Sequence, residues 1–128
     1  MRASRRELDL RLIQRACERI AEINASLDVA VAAERSEAER MRLLREATNQ
    51  IVRLANDSAQ AYRRATRAIK LDIDAGRGTS SDHERMRLLL QSARAALLAE
   101  LESASRRYPW ADPWGQSADE TASSPTTA

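Results

Sequence analysis

A chain of 128 residues with a formal charge of +2 has room for one domain. It contains no Phe, two Tyr, two Trp and a single Cys, which excludes an aromatic-rich core and an intramolecular disulfide. Charged residues recur through Arg19 with no apolar stretch behind the basic N-terminus, so neither a signal peptide nor a membrane span is expected, and the cytoplasm is the expected location.

The charge is unevenly spread. From Tyr108 onward the chain holds Asp112, Asp119 and Glu120 and no basic residue, a net of −3, so the positive charge lies on the body. Of 21 basic residues only Lys70 is lysine; the rest are arginine, whose planar fork suits phosphate and carboxylate partners. Alanine is abundant. It favours helix and close helix approach but buries little area per residue, so the core is thin and burial against a partner would complete it.

No Gly or Pro precedes Gly76, so nothing before it forbids helix. Leu8, Ile13, Ala16, Cys17, Ile20, Ile23, Leu27 and Ala30 recur at helical spacing and predict a first helix over residues 5–33. Arg11, Arg15, Glu18, Arg19 and Glu22 take its opposite face, while Leu10, Leu12, Val29 and Val31 widen the apolar surface. Cys17 reads as a small buried hydrophobe.

Residues 36–44 and 81–89 are nearly the same nonapeptide, Ser-Glu-Ala-Glu-Arg-Met-Arg-Leu-Leu and Ser-Asp-His-Glu-Arg-Met-Arg-Leu-Leu. Each reads as a capping box, a serine followed three residues later by glutamate and then an apolar-periodic run. The first copy predicts a turn near 33–36 and a second helix over 37–74. Its stripe includes Met41, Leu44, Thr48, Ile51, Ala55, Tyr62, Ile69 and Ile73. Such a helix is about 57 Å long. Asp74-Ala-Gly-Arg-Gly-Thr-Ser-Ser81 is the clearest turn, and the second copy restarts a helix over 82–107 through Met86, Leu89, Leu90, Ala93, Leu97 and Leu101. Tyr108-Pro109 stops it. The second and third helices are expected to pair as a hairpin, the shorter third leaving part of the second uncovered.

The fold class that follows is all-α, a three-helix bundle or long helical hairpin with coiled-coil character. It would occupy residues 1–108 as one helical domain, followed by a disordered acidic tail over 109–128. The inventory for catalysis is poor. His83 is the only histidine and is expected in solvent, and the lone Cys17 sits on an apolar face, so no catalytic residue, metal site or cofactor is expected. Gly76-Arg-Gly78 lacks the strand and spacing of a phosphate loop.

Binding is the remaining class. Met41, Leu44, Ile51, Met86, Leu89 and Leu97 are the candidate partner or oligomer interface of a non-enzymatic helical adaptor, with a protein partner or second copy expected. Arg63, Arg64, Arg67 and Lys70 are the candidate contacts of the alternative, a small basic nucleic-acid accessory subunit of the DNA-packaging or mobilisation type. No small-molecule substrate is expected.

Trp110 and Trp114 lie four apart in Pro-Trp-Ala-Asp-Pro-Trp, either folding onto the bundle or anchoring a partner. Tyr108-Pro-Trp-Ala-Asp112 also resembles the Tyr-x-x-x-Asp/Glu export signal that follows the helical hairpin of type VII secretion substrates of the WXG100 kind. That resemblance implies a secreted helical hairpin. Those proteins carry Trp-x-Gly at the hairpin turn, where this chain has Ala75-Gly-Arg-Gly-Thr79.

Overall fold

The computed structural model describes residues 4–107, all in three helices and their two short connections. Helix α1 spans Arg5–Ala33, α2 Glu37–Asp74 and α3 Ser80–Arg107. The expected all-α bundle is therefore what forms, and no strand occurs among the described residues. No helix there is long and apolar enough to cross a membrane. The tail expected beyond residue 108 lies outside the described residues.

Side chains set the helix ends. Ser4 accepts the Glu7 amide at 3.1 Å and Ser36 accepts the Glu39 amide at 3.3 Å, each satisfying a first-turn N–H that the helix itself leaves open. Between α1 and α2 the chain turns through Glu34-Arg35-Ser36. There the Glu34 carboxylate accepts the amides of Arg35 and Ser36, both at 3.1 Å, and Arg40 donates to the Glu34 carbonyl at 2.7 Å. The turn thus needs no glycine.

At the far end Gly76 takes φ +69, and the amides of Gly76 and Arg77 return to the carbonyls of Ile73 and Asp72. This is the Schellman closure that a left-handed residue permits. Helix α3 then starts earlier than expected. Thr79, not Ser81, is its cap, accepting the Asp82 amide at 3.1 Å.

The core is a single seam. Ile13, Ile20 and Leu27 of α1 meet Ile51, Ala61 and Ile69 of α2 and Leu90, Leu97 and Leu101 of α3. Burying each Ile or Leu contributes about 1.5–3 kcal/mol, and the alanines along α2 let the helices approach closely. Helix α1 is the common wall: it packs broadly on both neighbours, while α2 and α3 touch each other least. The α2–α3 hairpin expected from the sequence is thus held together largely through α1. Four buried polar side chains find partners. Asp9 accepts from Arg64 at 3.0 Å, Asn24 donates to the Glu100 carbonyl at 3.3 Å, and Thr48 and Ser58 bond back to the carbonyls of Leu44 and Leu54.

The guanidinium of Arg94 on α3 lies 5.3 Å from the ring centre of Tyr62 on α2, which fixes the antiparallel register. Along α1, the Glu100 carbonyl accepts from Asn24 and Arg107 bonds to Asp28, so α3 ends close to where α1 does. Near the start of α2, Val31 and Leu44 are half-buried and Met41 is exposed.

Candidate interaction surfaces

Of the six candidate interface residues, two are withdrawn. Ile51 and Leu97 are fully enclosed in the bundle's own core and offer nothing to a partner without unfolding it. The other four remain at the surface but in two separate places. Met41, 37% exposed, and half-buried Leu44 lie in the first turns of α2. Half-buried Met86 and Leu89, 40% exposed, line a cleft of about 500 Å³ between the starts of α1 and α3, with Leu10, Arg6 and Arg85 around them.

A third surface drew no notice in the sequence as a site. Leu8, Leu12 and Ala16 of α1 and Leu54 of α2 floor a groove of about 490 Å³ lined by α1 and α2 alone. Arg11, Arg15 and Arg19, spaced by four along α1, form one bank, and Asp57 stands on the other. Arg19 pairs with Glu22 at 3.1 Å. Arg11 and Arg15 have no ion pair within the described residues. Leu8 is 54% exposed although it belongs to the predicted stripe, because α2 does not cover that edge. The signal was legible as a widened stripe beside a row of arginines; nothing local said that the edge would stay open.

The basic cluster on α2 splits. Arg64 is tied to Asp9 of α1 and acts as an internal cross-link. Arg63, Arg67 and Lys70 are exposed with no ion pair among the described residues.

His83 is not in solvent as expected; it is 7% exposed. Its Nε2 lies 2.6 Å from the Arg77 carbonyl and its Nδ1 is buried without a partner. Nε2 therefore carries the proton and donates, because a carbonyl accepts only. The ring also explains the second glycine of the turn. At φ +76, Gly78 would press an added Cβ to within 3.1 Å of the imidazole.

Asp72 closes the same end, accepting from Arg6 at 2.9 Å and from Arg77 at 3.0 Å. Cys17 is half-buried, and burial first, then the charges of Glu100 and Glu18, push its thiol above the ordinary range. Among the described residues no cluster of His, Cys, Asp and Glu is placed to hold a metal ion. The docking motif Trp110/Trp114 and the export-like Tyr108–Asp112 lie outside the described residues. No protein-family model, curated protein or solved structure matches the chain.

Proposed function

We propose that the chain is a non-enzymatic helical adaptor that docks another protein through apolar surface left outside its bundle. The observation that supports this most is the α1–α2 groove, an apolar floor beside Arg11 and Arg15, neither of which has an ion pair among the described residues. Its chemistry suits an amphipathic segment of a partner that sets apolar residues on Leu8, Leu12 and Leu54 and carboxylates against the arginines.

The test is site-specific photo-crosslinking from Leu8, exposed enough to accept a probe without unfolding the bundle. Support is an adduct with a different protein whose yield falls about tenfold with Arg11→Glu/Arg15→Glu. An adduct only with a second copy of the chain points to self-association instead, and an adduct indifferent to the charge reversal defeats the groove reading. A second reading, a small basic nucleic-acid accessory subunit, is favoured by the exposed Arg63, Arg67 and Lys70, which have no ion pair among the described residues.

A further inference from the structure

Five arginines of this bundle pair with a carboxylate three or four residues away: Arg19 with Glu22, Arg40 with Glu37, Arg42 with Glu39, Arg87 with Glu84 and Arg106 with Glu102. Others, Arg11 and Arg15 among them, have no ion pair among the described residues, and on α2 such basic residues gather on one face. Arg45, Arg53, Arg63, Arg67 and Lys70 are all exposed, and none has an ion pair among the described residues.

Asn49, Asn56 and Gln60 fill the gaps, also exposed, so that the residues from 45 to 70 advance by four, four, three, four, three, four and three. That alternation averages close to the helical repeat, which places all eight on one straight line along α2. The acidic residues in the same span lie off it. Glu46 is paired with Arg42, and Asp57 stands on the groove beside α1. The line is about 37 Å long.

We infer that this ridge is a binding surface for the phosphate backbone of a nucleic-acid duplex, on a face of α2 separate from the α1–α2 groove. A row of cations without an ion pair among the described residues presents its charge to outside anions, and a duplex carries about one negative charge per 1.7 Å. The ridge spans roughly one turn of such a duplex, about 34–36 Å. Arginine forks bind phosphate in two places at once, and the amides between them donate to phosphate and sugar oxygens. No aromatic residue lies on the line, so the surface lacks the stacking platform that single strands require. Backbone contact without base stacking gives binding that ignores sequence and depends steeply on salt.

The experiment is fluorescence anisotropy of a labelled DNA duplex of about 20 base pairs, two helical turns, titrated with the full chain at several salt concentrations. With up to five phosphates neutralised, log affinity against log salt should fall with a slope of about −4 to −5. Arg63→Gln/Arg67→Gln/Lys70→Gln should reduce that slope by about 3. Arg77→Gln/Arg87→Gln/Arg106→Gln removes the same charge from paired sites and should change the slope by less than about 1. All six positions are exposed, and circular dichroism verifies that both triples stay helical.

No binding at low salt, or equal losses in the two triples, would overturn the ridge. Retention on heparin without any response to the duplex would overturn it in favour of an acidic protein partner. Loss of the groove's partner leaves this measurement untouched, because the two surfaces share no residue.

Discussion

The two copies of the nonapeptide present nearly the same side chains and fold into different surroundings. In the first, Ser36 caps its helix, Leu43 and Leu44 are half-buried, and Met41 is exposed. In the second, Ser81 already lies inside the helix and Thr79 caps it; Leu88 is 55% exposed, Met86 half-buried and His83 buried. The shared Glu–Arg pair behaves alike in both, Glu39 with Arg42 and Glu84 with Arg87.

What differs is the next residue. Arg45 follows the first copy and begins the outward ridge, whereas Leu90 follows the second and is fully enclosed in the core. A short amphipathic segment leaves several facings nearly equal in energy, and the residues that extend it choose among them.

The comparison can be broken most forcefully at its core positions. Leu90→Ala should lower unfolding stability by about 2–5 kcal/mol in a urea titration. Leu44→Ala and Leu89→Ala, each from an open position, should lose about 1 kcal/mol. A loss at Leu44 as large as at Leu90 would mean that Leu44 is fully enclosed, contrary to its half-buried position.

The caps come next in size. Ser36→Ala and Thr79→Ala should each lose about 1 kcal/mol of thermal or chemical stability, while Ser81→Ala should stay within about 0.3 kcal/mol of wild type. Equal losses at the two serines would restore the symmetry of the repeat and place the start of α3 at Asp82.

The smallest effect concerns where α3 stops beside the first copy. Two hydrogen bonds from Arg107, and then its charge, hold the Asp28 carboxyl below the ordinary carboxylate range. A group whose folded pKa is depressed contributes stability above its unfolded pKa and loses it as pH falls through the folded one. Wild type should therefore exceed Asp28→Asn slightly at neutral pH, and the gap should close in acid. Because the pair is solvent-exposed, screening keeps the gap small, and raised salt should shrink it further. A gap that persists at low pH would show that Asp28 acts through packing rather than charge.

Much of this architecture was written locally. The stripe of Ile13, Ile20 and Leu27, the serine at 36 and the Gly76 turn each carry their meaning within a few residues, and the first two helices end where those signals put them. The candidate surfaces were less legible. Arg63, Arg67 and Lys70 could be read from sequence as a cluster, and the regular spacing from Arg45 was available to the same reading. That Arg64 would leave the cluster to bind Asp9, 55 residues earlier, was not. Ile51 and Leu97 looked the same as Leu44 and Leu89 in the sequence, because an apolar residue at helical spacing does not say whether its own chain or another will cover it.

The sequence by itself determined that three helices form, roughly where they begin and end, and that their surfaces are rich in arginine. Helix propensity, caps and periodicity are local properties, decided within one or two turns of chain. Only the tertiary structure decided that α1 is the common wall, that His83 is buried against Arg77, and that the α1–α2 groove and the outer line of α2 stay open. Those outcomes depend on which helix lies over which face and how far it extends, and a pattern of polar and apolar residues along one helix carries no record of its neighbour's length.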